Sequence, residues 1–573
     1  MRSPSGSAAV VVLALLLITC GSPQGTEQAG AGTTTGGSGG GSYDDLAGLF
    51  EEFRELAAPG LVDGVPDYSP ATMAGIYEEL RAQQRRLAAF DVSGWSISEQ
   101  IDYHLVRAEM NGMEFTHRVM RPWVTSPFHY WGSSTGTSTP YFAFSDRPAV
   151  PEGPGWGEDG FSGTPDFPLS DAEVEAYRVR LRALPQVLAQ GKANVIVTEA
   201  KRDLGLIVLR AIAEEGVLLE PMVAQMQQHH PDLVADTEAA WAAVRDYRTW
   251  VEENLDRMQA PVGFGIDNFN WWLKNVWLIP YTWDEAWTLG RRERERGIAT
   301  LKMEQYRNRD LPQLEPVQTA AEYLRGHHKA EDKLRNFLLG GSFLTVSADE
   351  LAAAYAAYPP RPPTSPGTRP YDFLAGIIHE HLGHQLDALR PETDLSSIRA
   401  ARRLHEMTHP RREGVADALG QALMHAGILD DQPRVRELIH TATANRGGRA
   451  MGSLKFWANE LDYEGWNRYD AEINLSGSDM LDESEWWNAA ANYNTWDHKK
   501  DAVRGPGYEM AYNTGVLQFQ KLVGDRAAQL GDDFDMREFM DELFAAGQMP
   551  MALIRWQMTG FTDEMDKLLD GGD

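Results

Sequence analysis

The sequence predicts a mainly α-helical protein with few short strands. Three observations carry that expectation. From Tyr43 onward apolar residues recur at helical spacing, as in Glu51–Leu56 and Leu80–Leu87. Long strand-like alternation is scarce. The chain has 573 residues, 43% of them apolar, and 17 Trp, ample for a large helical core in which aromatics serve as filling.

The first elements read as targeting. Met-Arg and small polar residues precede an apolar run from Ala8 to Ile18, too short to span a bilayer and fitting the core of a secretory signal. Leu17-Ile18-Thr19-Cys20-Gly21 resembles a bacterial lipoprotein processing site, with Thr19 where Ala, Gly or Ser is usual. The single cysteine of the chain sits at the lipidation point, so residues 1–20 are read as a lipoprotein signal with Cys20 as the lipidated residue. An ordinary signal peptide with an incidental Cys is the alternative. Residues 21–42 are rich in Gly, Ser, Thr and Gln and read as a flexible tether. The expected location is the cell envelope, lipid-anchored or periplasmic, with the anchor as the membrane contact.

Residues 43–573 read as one helical domain with two parts, 43–365 and 366–573. Ser170-Asp171-Ala172-Glu173 marks a helix start with Ser170 as cap. Trp131 to Gly163 is rich in Gly, Pro and Ser and reads as a long loop. Tyr358 to Pro370 holds six prolines and separates the two parts.

Charge and cysteine count narrow the chemistry. A net charge of −30 repels phosphate backbones and makes nucleic acid an unfavourable partner. One cysteine allows neither an intrachain disulfide nor a Cys-rich zinc knuckle, so a metal must be held by His and carboxylates.

Such residues cluster at Phe373–Arg390, FLAGIIHEHLGHQLDALR. Leu374, Ile378, Leu382 and Leu386 recur every four residues and predict a helix with one buried stripe. A zinc-binding helix usually carries His-Glu-x-x-His, because i and i+4 share a face. Here His384 follows His379 by five residues, about 140° around an ideal helix. A one-residue π-bulge restores the register, and Gly383 makes it cheap. The spacing resembles the His-Glu-x-x-Gly-His motif of the dipeptidyl peptidase III family, in which both His bind zinc.

Arg412-Glu413-Gly414-Val415-Ala416-Asp417 supplies Glu-x-x-x-Asp. It resembles the second motif of the thermolysin-type clan, the gluzincins. That resemblance implies Glu413 as third zinc ligand and Asp417 as the group orienting a ligand His. Glu380 is then the general base.

A rival is His405-Glu406-Met407-Thr408-His409, a full His-Glu-x-x-His. Pro410 follows at once and charges crowd it, so it reads as a surface helix end without an apolar bed. Glu413, four residues on, is too close to close that site. His229-His230 and His327-His328 read as surface residues.

The chain also resembles the bacterial domain-of-unknown-function 885 family, grouped with the gluzincin metallopeptidases. Its His-Glu-x-x-Pro-Gly-His-His-Leu-Gln becomes HEHLGHQLD here, one residue shorter and without the Pro or the second adjacent His, and its Glu-Gly-Trp-Ala-Leu-Tyr becomes EGVADALG. The fullest match is C-terminal, RGPGYEMAYNTGVLQFQKL and LGDDFDMREFMDELFAAGQMPMALIRW, with weaker similarity in DNFNWWLKNVWLIPYTWDEAWTLG. The resemblance, over most of Tyr43 to Gly560, implies a large helical gluzincin-like fold and hydrolysis of peptide or amide bonds. The Gly507-Tyr508…Tyr512…Gly515 segment also looks like oligopeptidase and carboxypeptidase Taq-type helices. In those a Tyr hydroxyl donates to the oxyanion, which nominates Tyr508 or Tyr512; helix packing is the competing reading. Arg504 and His498 are weaker candidates for contacting a carboxylate or the oxyanion.

The expected function is thus a Zn2+-dependent hydrolase acting on a peptide or small amide. Two other classes stay open: a non-catalytic binding lipoprotein with a decayed metal site, and a metal-dependent esterase using the same residues.

Overall fold

The computed structural model describes residues 41–62, 64–135, 167–214, 219–341, 343–360, 373–390, 396–473 and 506–569. The signal, Cys20, most of the tether, most of the Trp131–Gly163 loop, most of the Pro-rich segment, His498 and Arg504 lie outside these residues. The fold is mainly α, and the named strands are Leu61–Val62 and Val65–Pro66, a minimal antiparallel hairpin pairing Leu61 with Pro66.

Local sequence explains where helices begin. Ser170 caps the Asp171–Asn194 helix, and Glu173 bonds back to the Ser170 N–H. Thr319 with Glu322 and Ser347 with Glu350 repeat this reciprocal box at Ala320–Leu339 and Ala348–Ala357. Each box satisfies amide donors that a helix start leaves open. Trp131, which the sequence put at the start of a loop, belongs to the Pro127–Thr135 helix and is fully buried. The Pro and Gly that suggest a loop lie further on, so composition set that boundary a few residues early.

Apolar stripes then decide the packing. Trp131, Trp272, Trp277 and Trp457 are among the largest fully buried side chains. The apolar core runs from Phe53 and Leu105 through Leu382 and Leu419 to Phe519 and Ile554. The Trp283–Arg307 and Pro433–Trp457 helices form an extensive pair, pinned where Trp283 Nε1 donates to the Leu454 carbonyl at 2.8 Å.

Three elements converge next to this pair. The His409–His425 helix packs on the motif segment Ile378–Leu386 and on the Tyr508–Leu530 helix, which also packs on Pro433–Trp457. Contact is close because glycines stand at the crossings. A Cβ on Gly515 would sit 1.7 Å from the Pro410 carbonyl oxygen. Only glycine lets two backbones approach so tightly.

Candidate metal centre

The motif helix carries the first ligands. Leu374, Ile378, Leu382 and Leu386 are all buried, the single stripe expected of this segment. Phe373–Ile377 is α-helical and Ile378–Leu386 is π-helical. The distortion thus spans nine residues rather than a one-residue bulge. Wider winding brings residues five apart onto one side, and His384 Nε2 lies 3.2 Å from His379 Nε2. Gly383 has a further role. A Cβ there would lie 2.4 Å from the Ala416 Cβ, so this glycine lets the motif helix lie against the helix that carries Glu413.

Glu413 Oε2 stands 3.6 Å from His379 Nε2 and 3.4 Å from His384 Nε2. These separations meet a simple test. Three ligands of a tetrahedral zinc, each about 2.0–2.1 Å from the ion, stand about 3.3 Å apart. Two imidazoles and a carboxylate are also the donor set of many hydrolytic zinc sites. The residues present therefore fit such an ion.

The surroundings fix the ring of His379. Its Nδ1 pairs with Asp417 Oδ1 at 2.9 Å, one helical turn beyond Glu413. With that nitrogen donating, Nε2 is the one turned to His384 and Glu413. Burial opposes charge on His379, but Asp417 and Glu413 outweigh it and raise its pKa to about 10. Burial likewise opposes charge on Glu413, yet the two imidazoles hold its carboxyl well below the usual range. The site is thus built to hold positive charge between these groups.

Tyr512 stacks near the ring of His379, with centroids 6.3 Å apart and planes 14° from parallel. Its hydroxyl is 2.9 Å from that of Tyr508, whose ring packs on His409. Burial and the Glu413 carboxylate push the Tyr512 phenol well above its ordinary pKa, so it stays a proton donor. Glu380 follows His379 directly and is half-buried.

Two neighbours of the centre escaped the sequence reading. Arg446 pairs with Asp417 at 2.8 Å and lies 3.7 Å above the Tyr512 ring. Arg449 pairs with Glu509 at 2.5 Å. Both come from Pro433–Trp457, and two arginines three residues apart, flanking Gly447-Gly448, are the signal that could have found them. A cleft opens beside Asp417 and Arg446, with Thr443, Gln421 and Asn513 on its walls.

The rival motif takes another shape. The helix does not end at Pro410; it starts at His409 with Pro410 in its first turn, where the missing N–H costs nothing. Nor is this a surface segment, since His405 and His409 are buried. His405 and Glu406 have positive φ, 58° and 50°, so the two His do not share a helix. His405 Nε2 bonds to the Glu109 carbonyl at 3.1 Å, and His409 Nδ1 pairs with Glu406 at 2.7 Å. His327 also corrects the surface reading, being buried against Glu331, whereas the His328 side chain is exposed. His229 and His230 are half-buried, and His230 Nε2 accepts from the Leu169 N–H at 2.8 Å.

The overall architecture has solved counterparts. A candidate lipoprotein of unknown function from Shewanella oneidensis matches with a TM-score of 0.64 at 14% identity, over 90% of this chain and 100% of that one. A candidate lipoprotein from Colwellia psychrerythraea gives 0.63 at 14% identity, over 91% and 100%. At such identity the likeness shows the fold. No curated protein matches the sequence significantly. A family model does, over residues 55–357, ahead of the motif helix and of the C-terminal segments in which the sequence resemblance looked fullest. That span is more than half of the chain, and the protein belongs to the family described as bacterial protein of unknown function, DUF885.

Proposed function

We propose that this chain is an exported zinc hydrolase of the gluzincin kind, cleaving a peptide or amide bond. One observation carries the reading: three ligand atoms of His379, His384 and Glu413 stand 3.2–3.6 Å apart while Asp417 holds the far side of one imidazole. A tightly spaced donor set with an oriented ring is what a catalytic zinc requires.

A zinc ion held there supplies Lewis acidity and makes water a stronger acid. Glu380 takes the proton of the attacking water and passes it to the departing amine nitrogen. Tyr512, its ring beside His379 and its hydroxyl paired with Tyr508, donates to the carbonyl oxygen as negative charge grows there. Arg446 over the Tyr512 ring holds that side chain in place and balances Asp417. Export rests on the signal-like residues 1–20 and on the descriptions of the similar structures as candidate lipoproteins. Among the described residues no helix is long and apolar enough to cross a membrane, so attachment through Cys20 is the proposed link.

The test is metal analysis of the purified chain followed by a screen of peptide, amide and ester substrates. Zinc bound through His384, with turnover of a peptide or amide, supports the proposal. A folded protein that binds no transition metal points to the non-catalytic reading. Turnover confined to esters moves the substrate class.

A further inference from the structure

We propose that His327, Glu331 and His381 form a second metal site that takes a divalent transition ion of the zinc class. The observation is independent of the Glu413 centre. His327 and Glu331 lie one turn apart on Ala320–Leu339, so their side chains share a face. His381 comes from the motif helix, two residues after His379, but turns toward the Ala348–Ala357 helix. All three residues are buried, His381 to 1% exposure, and their ligand atoms lie within 4.8 Å of one another.

The hydrogen bonds show which nitrogens face the site. His381 Nδ1 lies 3.3 Å from the Ala354 carbonyl oxygen. A carbonyl only accepts, so Nδ1 carries a proton. In a neutral ring Nε2 is then a lone pair. It is buried, has no hydrogen-bond partner, and lies 3.8 Å from Glu331 Oε1. His327 Nδ1, also buried and without a hydrogen bond, is 3.4 Å from the same oxygen. The His381 lone pair facing this carboxylate is repelled unless a cation or a proton lies between them. The gaps of 3.4 and 3.8 Å are longer than a good hydrogen bond, and the shorter is close to the separation of about 3.3 Å between ligands of one tetrahedral zinc. The other oxygen of Glu331 is held by His328 Nδ1 at 2.8 Å, as the outer oxygen of a ligating carboxylate commonly is. Imidazole donors favour zinc, copper or nickel over magnesium or calcium. Such an ion ties Ala320–Leu339 to the motif helix two residues from His379, bracing that helix from its other side.

The rival occupant is a proton that makes one imidazole cationic. To separate the two, metal-free full-length protein is titrated with Zn2+ by calorimetry, and bound ions are counted by elemental mass spectrometry. Wild type is expected to bind two ions per chain. His327→Ala and His381→Gln should each retain one ion, and His384→Ala should retain the other. Gln at 381 keeps a donor for the Ala354 carbonyl. Should that buried variant fail to fold, His327→Ala decides. One ion in wild type, lost in His384→Ala and kept in His327→Ala, overturns this proposal. One ion kept in His384→Ala and lost in His327→Ala upholds it and overturns the Glu413 centre instead. A folded wild type without zinc overturns both.

Discussion

His379 and Asp417 meet at 2.9 Å through Nδ1 and Oδ1, and this pairing turns Nε2 of the same ring toward Glu413. Asp417→Asn keeps the shape but can present an amide donor to the ring and so leaves the tautomer unfixed. We expect about 10–100-fold weaker zinc binding at this centre, with the helical circular dichroism unchanged. Competition with a chelator measures it. Unaltered affinity would remove Asp417 from the centre.

The next test concerns Glu380. Glu380→Gln should keep the ion and lower turnover of a cleaved peptide by about 10²–10⁴-fold, because an amide cannot accept the proton of water. Metal content and kcat are read on the same sample. Near wild-type kcat with full metal assigns the base elsewhere.

Tyr508 and Tyr512 share a hydroxyl contact of 2.9 Å, but only Tyr512 stacks near His379. Tyr512→Phe should lower kcat by about 10²–10³-fold with little change in KM, the pattern of a lost oxyanion donor. Tyr508→Phe should cost less, since it supports Tyr512 through that contact. Equal and small effects would mark both as packing aromatics.

Much of this centre was legible in the sequence, for reasons of spacing. Five residues between His379 and His384 break the α-helical register, and the π-helix is the local answer. Glu413 and Asp417 are one turn apart, so their joint approach to one ring follows from helix geometry. What stayed hidden depends on distant partners. Pro410 can end a helix or begin one, and the buried bed that Trp277, Gly112 and Glu109 make for His405 decides which. His327 sits among charged neighbours in sequence, yet its partner His381 lies on another helix. In the sequence Gly383 marks a place where a π-bulge is cheap, whereas its packing against Ala416 needs the folded pair.

Acid sensitivity follows from three histidines away from the centre. Burial lowers His104 and His129 to about 3 and His117 to about 4. The Arg107 charge adds to the effect on His104, and Tyr68 and Tyr130 pack edge-on around His129. A folded pKa below the unfolded value means that the unfolded chain binds more protons. Stability should therefore fall as pH drops from about 6.5 toward 4, by about 1.4 kcal/mol per pH unit for each histidine. His129→Phe removes one such group, so its stability should decline less steeply across this window. Denaturant melts from pH 4 to 7 measure this, and parallel slopes would refute it.

The last test decides between the two His-Glu motifs. His405→Ala and His409→Ala should keep the ion at the Glu413 centre, whereas His379→Ala, His384→Ala or Glu413→Ala should lose it. The argument is geometric. His405 and Glu406 take left-handed backbone angles, which breaks the i to i+4 alignment that a helical zinc pair needs. One nitrogen of each ring also faces another partner, His405 Nε2 the Glu109 carbonyl and His409 Nδ1 the Glu406 carboxylate. Glu413 does lie on the helix begun by His409, but its carboxylate is turned to His379 and His384. The rival variants should still have a cost. His405 is buried, and Gly112 lies so close that a Cβ there would stand 2.3 Å from its ring. Removing that ring leaves a cavity, for which a loss of about 2–4 kcal/mol is expected. The two classes of variant thus separate on two readouts, lower melting temperature with full metal against lost metal with a largely intact fold. Loss of the His384-dependent ion in His405→Ala, at a temperature where that variant is still folded, would transfer the centre to the rival motif.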